Sequence, residues 1–165
     1  MPSNITIYTD GAASGNPGPG GYGVVLISGS HRLEKAQGFK LTTNNRMELM
    51  AAIVGLEALR KSGSNVTIYT DSKYVADAIE KRWLFQWEMK AFKNKKNPDL
   101  WIRFLKIYRQ HNVKFIWIKG HSNIAENETC DRLAVEASKM PNLPDDTGYI
   151  SQKGNDDLFE NQHAS

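Results

Sequence analysis

Ile5-Thr6-Ile7-Tyr8-Thr9-Asp10 is answered later in the chain by Val66-Thr67-Ile68-Tyr69-Thr70-Asp71. Both stretches alternate, are rich in β-branched residues and have the length of a strand. Alternation puts Ile5, Ile7 and Thr9 on one face and Thr6, Tyr8 and Asp10 on the other. Each stretch ends in an aspartate followed by a small residue, Gly11 or Ser72. Nothing else recurs at that period, so the chain is not a repeat array. The echo predicts two strands of one sheet that deliver a carboxylate at the same end.

Outward from the first stretch, residues 11–21 are dense in glycine and proline and predict a turn. No Gly-Lys-Ser/Thr follows, so the run is not a Walker-type phosphate cradle. Residues 22–28 read as a second strand, Ser28-Gly29-Ser30 as a hairpin turn and residues 32–39 as a third strand, an antiparallel meander. Residues 44–62 predict a helix with Asn44 or Asn45 as N-cap and Gly63 just past its end. Its interior is apolar almost all round, so it should be buried on more than one side. Residues 65–70 give the fourth strand, and a helix over 72–80 follows. A basic aromatic segment comes next, then a helix over 99–110 behind Pro98. A strand over 113–118 and a helix over about 127–139 complete the order β-β-β-α-β-α-α-α-β-α. That order is an α/β domain with a mixed sheet and helices on both faces. Residues 1–150 are expected as the domain and residues 151–165 as an acidic C-terminal tail.

The composition agrees with this reading and narrows the class. The chain has 165 residues, 40% hydrophobic and 24% charged, the profile of one globular domain. Its single cysteine, Cys130, excludes an internal disulfide framework and a cysteine-based zinc cage, and suits a reducing compartment. No apolar stretch is long enough to span a bilayer. The first residues lack the charged and apolar regions of a signal peptide. The expected location is the cytoplasm, with no membrane association.

The formal charge of +3 hides an asymmetry. Residues 141–165 carry five acids against Lys153, a net of −4, which leaves +7 on residues 1–140. Within residues 81–96 six bases face Glu88 alone, a net of +5, and Trp83, Trp87 and Phe92 are interleaved. A basic run is often only a solvated face. Tryptophan beside lysine suits stacking near phosphates, so an anionic polymer is the expected partner. Trp83 and Trp87 stand four residues apart and would share a helical face; core packing would explain them equally.

Asp10 and Asp71 anchor the chemistry. Ligands of open α/β sheets gather beyond the carboxyl ends of strands where strand order switches. Either aspartate alone could be a turn or cap residue. Glu48 shifts the balance, because it sits inside the most apolar helix, between Met47 and Leu49. A buried carboxylate needs a partner. Arg46 is poorly placed to serve, since side chains two residues apart on a helix diverge. Ala51, Ala52 and Gly55 would let this helix approach the sheet closely. Asp131, near the start of the last helix, is the fourth candidate, although an acid in a first turn also suits the helix dipole. Four converging carboxylates require cations or protons. Oxygen-only ligands favour Mg²⁺ or Mn²⁺, and two such ions suit in-line phosphodiester displacement. An acidic two-metal site beside a basic aromatic surface reads as a nuclease.

On Tyr8-Thr9-Asp10-Gly11, Gly15-Asn16-Pro17-Gly18-Pro19-Gly20-Gly21-Tyr22-Gly23 and Thr42-Thr43-Asn44-Asn45-Arg46-Met47-Glu48-Leu49, the sequence resembles bacterial type 1 ribonuclease H. Thr70-Asp71-Ser72, Lys119-Gly120-His121, Asn127-Glu128 and Cys130-Asp131 extend the resemblance from Ile5 to about Ile150. It implies a ribonuclease H-like fold, a five-stranded mixed sheet in the order 3-2-1-4-5. It also implies hydrolysis of the RNA strand of RNA–DNA hybrids, leaving 3′-hydroxyl and 5′-phosphate ends. Asp10, Glu48, Asp71 and Asp131 fall on the family's metal-binding carboxylates, with two Mg²⁺ ions per site and Mn²⁺ able to substitute. His121 falls on a loop histidine that helps move protons or release product. Gly11, Asn16, Asn44 and Asn45 resemble positions that meet the hybrid backbone and the RNA 2′-hydroxyls. Thr43 and Asn97 resemble a pocket for a DNA phosphate. Trp83, Trp87, Lys90, Lys93, Lys95 and Lys96 resemble a basic protrusion that straddles the DNA strand.

The chain departs from the family in places. Leu41 stands where some relatives have an arginine beside the phosphate pocket, and Lys73 replaces a glutamine that touches the RNA strand. The protrusion is a few residues short, and the stretch after Ile150 has no counterpart. The expectation is a Mg²⁺-dependent endoribonuclease acting as a monomer without an obligate protein partner. Its rivals are a hybrid- or duplex-binding module without turnover, and a DNA endonuclease or recombinase-like relative on the same fold.

Overall fold

The computed structural model describes residues 3–120 and 123–163, with side chains through residue 156. Five strands form one sheet: β1 (Asn4–Ala13), β2 (Gly18–Ser28), β3 (His31–Thr42), β4 (Asn65–Thr70) and β5 (Asn112–Trp117). Their order is β3-β2-β1-β4-β5, as the resemblance implied. The meander β1-β2-β3 is antiparallel, while β1 pairs with β4 and β4 with β5 in parallel. The two echoing stretches are therefore neighbours in register. Tyr8 lies opposite Tyr69, and their rings stack at 4.9 Å.

Among the described residues six helices accompany the sheet: α1 (Asn44–Glu57), α2 (Lys73–Glu80), α3 (Trp83–Met89), α4 (Pro98–Tyr108), α5 (Ala125–Ser138) and α6 (Thr147–His163). Glycines let two of them press onto opposite faces of the sheet. A Cβ on Gly55 of α1 would lie 2.9 Å from Ile7 Cγ2, on the Ile7–Val24 face. A Cβ on Gly23 of β2, paired with Asp10 on the other face, would collide with the Cys130 carbonyl of α5. The main core lies between the sheet and α1, α2 and α4, around Ile7, Met47, Ile53, Ile68, Trp101 and Phe104.

Several boundaries differ from the sequence expectations. The predicted turn over 11–21 shrinks to residues 14–17, because the glycines on either side join the β1–β2 ladder. Thr43, not Asn44 or Asn45, caps α1, its hydroxyl accepting the Arg46 N–H at 3.2 Å. Helix α1 stops at Glu57, since residues 60–63 are exposed and the Gly63 N–H is spent on the Gln110 carbonyl at 2.7 Å. Ser72 caps α2, its hydroxyl accepting the Val75 N–H at 3.2 Å. The segment after Pro144 is helical from Thr147. Asp146 Oδ1 accepts the Tyr149 N–H at 3.3 Å, and Tyr149 is buried against the domain. Among the described residues, no helix is long and apolar enough to cross a membrane.

Candidate active site

Asp10 leaves β1 and Asp71 follows β4, side by side at one end of the sheet, while Glu48 descends from the first turns of α1. One carboxylate oxygen from each of the three lies within 4.8 Å of the others. Gly11 makes this possible. A Cβ there would come 2.5 Å from the Met47 carbonyl carbon and would also collide with the Glu48 nitrogen. Only glycine lets α1 sit this low on the strand. The Gly11 N–H donates to Asp10 Oδ1 at 2.9 Å and orients that carboxylate.

Asp10 is almost fully buried. Burial, then the charge of Asp71, push its carboxyl up to about 8, and Asp131 adds to the rise against the Gly11 hydrogen bond. Glu48 is likewise raised well above the usual carboxylate range, first by burial and then by Asp10 and Asp71. Two unit charges about 5 Å apart repel by roughly 3 kcal/mol at an effective dielectric near 20. Crowding therefore favours bound protons or a compensating cation at the cluster. Glu48 Oε2 is buried and has no hydrogen-bond partner among the described residues. A hard-oxygen donor set with an idle buried carboxylate oxygen fits a divalent metal.

Asp131 is exposed on the second turn of α5 rather than its first, and it lines the same cleft as the other three carboxylates. The cleft has a volume of about 340 Å³, and Gly11, Asn44, Asn127 and Glu128 also line it. Asn127 was not singled out as a site residue from the sequence, although it stands one helical turn before Asp131. It is buried, and its Oδ1 has no hydrogen-bond partner among the described residues. Cys130, between them in sequence, faces the sheet. Its Sγ donates to the Tyr8 carbonyl at 3.2 Å, and burial pushes the thiol up to about 12. It is no nucleophile. His121 lies outside the described residues.

The expected substrate contacts divide into groups. Asn16 Oδ1 accepts the Asn44 N–H at 2.9 Å, and Asn44 Oδ1 accepts the Ala13 N–H at 2.6 Å, joining the β1–β2 loop to the start of α1 beside the cleft. Asn45 is exposed next to them. Thr43 is spent on capping α1. Asn97 is buried, its side chain accepting from Arg46 at 3.2 Å and donating to the Tyr74 hydroxyl at 3.0 Å. Its backbone N–H is taken by Gln152 Oε1 of α6 at 2.6 Å. The two tryptophans of α3 part company. Trp83 is 42% exposed, whereas Trp87 packs edge-on against buried Trp101 at 5.8 Å. Lys81 sits over the Trp83 ring and Lys95 over the Trp87 ring, each at 5.0 Å. Lys90, Lys93, Lys95 and Lys96 are exposed, and the first three line a shallow pocket with Trp87. Lys73 projects from the start of α2 over the Trp117 ring, 4.8 Å from its centre.

A mixed sheet of this order, with carboxylates from β1 and from the end of β4 meeting in a cleft that fits a divalent metal, is the arrangement of a nuclease-type α/β scaffold. The chain belongs to the RNase H family, whose pattern it matches over residues 2–139, and it is a ribonuclease H enzyme. It is 57% identical over 153 residues to ribonuclease H of Rippkaea orientalis, covering 90% of this chain and 93% of that protein. To ribonuclease H of Desulforamulus reducens it is 60% identical over 145 residues, covering 85% and 91%. Among solved structures it is similar to LC9-RNase H1, a type 1 RNase H with the type 2 active-site motif. That match has a TM-score of 0.76 at 29% identity, covering 84% of this chain and 73% of that one. LC11-RNase H1, solved in complex with an RNA/DNA hybrid, gives a TM-score of 0.61 at 29% identity, covering 81% and 95%.

Proposed function

We propose that this enzyme hydrolyses the RNA strand of RNA–DNA hybrids by two-metal-ion catalysis, leaving 3′-hydroxyl and 5′-phosphate ends. The observation that carries the reading is the convergence of Asp10, Glu48 and Asp71 within 4.8 Å in a cleft that Asp131 also lines. Those four residues would hold two Mg²⁺ ions, with Mn²⁺ able to substitute. Mg²⁺ supplies positive charge and Lewis acidity opposite a phosphodiester. The chain's own residues do the rest. Asp10 and Glu48, whose carboxyls burial and crowding raise, would release protons to solvent on binding a cation, and the Gly11 N–H orients the Asp10 carboxylate. His121 would carry a proton between the cleft and solvent on its imidazole, the side chain suited to that at neutral pH.

Asn16 and Asn44, linked beside the cleft, and the exposed Asn45 would meet the hybrid backbone and the RNA 2′-hydroxyl, the group that separates RNA from DNA. Thr43 and Asn97 would flank a DNA phosphate. Lys73 would approach the RNA strand, and Trp83, Trp87 and the lysines at 90, 93, 95 and 96 the DNA strand. On this reading residues 1–150 are the catalytic domain and 151–165 an accessory tail. The enzyme would work in the cytoplasm as a monomer, with no obligate protein partner.

The test is cleavage of matched RNA–DNA, DNA–DNA and RNA–RNA duplexes in Mg²⁺ and in chelator. Cutting confined to the RNA strand of the hybrid and lost in chelator supports the proposal. DNA-only cutting would point to a DNA endonuclease on the same fold, and binding without cutting to a recognition module.

A further inference from the structure

Trp117 ends β5 and is 44% exposed, an unusual place for the largest apolar side chain. One hydrogen bond ties it to Asp71, and two neighbouring features set the end of β5 beside that residue. The indole N–H donates to the Asp71 backbone carbonyl at 3.1 Å. The next residue, Ile118, donates its N–H to the Thr70 carbonyl at 2.9 Å, extending the ladder to the edge of the cluster. Two residues further on, a Cβ on Gly120 would sit 3.3 Å from Asp71 Oδ2. The end of β5 thus holds the Asp71 peptide and passes close beside its carboxylate. The other face of the ring is also engaged, with the Lys73 ammonium 4.8 Å from its centre. Lys73 is the first residue of α2, whose first turn holds no acid, so its charge stands at the positive end of the helix dipole. The tryptophan face supplies the electron density that makes this placement tenable.

We propose that Trp117 is a positioning residue with two separable roles: its indole N–H sets the geometry of Asp71 for metal, and its ring holds the Lys73 ammonium where a nucleic-acid phosphate will meet it. The inference rests on the metal reading of the carboxylate cluster and deepens it. A carbonyl pinned by a donor from the neighbouring strand fixes the backbone from which the carboxylate springs, as outer partners fix metal ligands generally. The ammonium is held over a ring, which leaves its charge intact for a phosphate.

The two roles call for different substitutions. Trp117→Phe keeps an aromatic face and removes the N–H, and Lys73→Met removes the charge and keeps the length. Mg²⁺ binding by calorimetry, without substrate, is expected to weaken about tenfold in Trp117→Phe and to be unchanged in Lys73→Met. Hybrid affinity in chelator is expected to reverse that order, weakening several-fold in Lys73→Met and little in Trp117→Phe. A purely structural tryptophan would lower the melting temperature and leave the Mg²⁺ isotherm in place. That outcome, or equal hybrid affinity for Lys73→Met and the unmodified enzyme, overturns the corresponding role. If the unmodified enzyme itself binds no Mg²⁺, the metal reading falls and the first role falls with it. A normal isotherm that Trp117→Phe does not move defeats the positioning role alone.

Discussion

Arg46 donates to both carboxylate oxygens of Asp146, from Nε to Oδ2 at 2.8 Å and from Nη2 to Oδ1 at 3.0 Å, and Asp146 Oδ2 also accepts the Thr42 hydroxyl at 2.7 Å. The same guanidinium donates to both oxygens of Asp99, at 2.9 and 2.8 Å. Burial alone would depress the guanidinium, but its bonds to Asp99 and Asp146 outweigh that and raise it. Arg46 is 1% exposed, so its charge is entirely spent inside the protein. It ties the start of α1 to α4 and to the residue that opens α6.

Removing one member of this buried set should therefore be costly. Asp146→Ala leaves Arg46 short of a partner and is expected to lower unfolding stability by about 3–5 kcal/mol. Denaturant unfolding measures it. A loss below 1 kcal/mol would show that water replaces the carboxylate and that α6 is not anchored through Arg46.

Asp10 is expected to give the enzyme a pH-dependent stability in the absence of metal. Its folded-state value of about 8 stands above the ordinary 3.8, so the stabilisation is complete below about pH 4 and is lost as pH rises through about 8. In chelator the melting temperature should fall from pH 5 to pH 8.5. Asp10→Asn should flatten that slope and add about 1–3 kcal/mol at pH 8, by removing one repelling charge. Millimolar Mg²⁺ should raise the melting temperature of the unmodified enzyme and leave Asp10→Asn much less affected. Turnover by Asp10→Asn should drop more than about a hundredfold, since even outer partners of metal ligands matter at that scale, while hybrid binding persists. A flat melting profile across this pH range would mean that the carboxylates do not crowd one another in solution.

Gly11 is a sharper probe of the same geometry. A methyl group there meets Met47 and Glu48 backbone, which cannot step aside without lifting α1 from β1. Gly11→Ala is expected to cost about 1–3 kcal/mol of stability. It should also reduce cleavage by up to about a hundredfold through displacement of Glu48. Equal activity with reduced stability would separate the packing of α1 from the chemistry.

Much of this was legible in the chain because the echo of residues 5–10 in 66–71 encodes adjacent parallel strands, and parallel register carries Asp10 and Asp71 to one end. Glu48 could be found as the acid set between Met47 and Leu49 near the start of an apolar helix. Other features depended on partners distant in sequence. Asn44 and Asn45 looked like caps, but Ala13 claims the Asn44 side chain and leaves capping to Thr43. The helix over 147–163 has a polar, weakly amphipathic sequence, and its anchor is Arg46, far earlier in the chain. Trp117 gave no local sign of its reach to Asp71, since that contact exists only when β5 lies beside β4.

The basic segment is the part of the site whose role depends most on solution conditions. Lys90, Lys93, Lys95 and Lys96 are all exposed, so none is needed to hold the fold. Lys95 rests over Trp87, and Trp87 is wedged against Trp101, which fixes the segment to the core while leaving the ammonium groups outward. A polyanion that replaces counterions with these lysines loses affinity as salt rises, by about 0.7–0.9 in logarithmic slope for each phosphate neutralised. Changing all four lysines to glutamine is therefore expected to weaken hybrid binding at low salt. It should also reduce the salt slope by up to about 3, with the melting temperature within a few degrees of the unmodified enzyme. Fluorescence anisotropy with a labelled hybrid, titrated from low to high salt in chelator, reads this without interference from cleavage. An unchanged slope would make these lysines a solvated face and move the phosphate grip to Lys73 and the cleft rim.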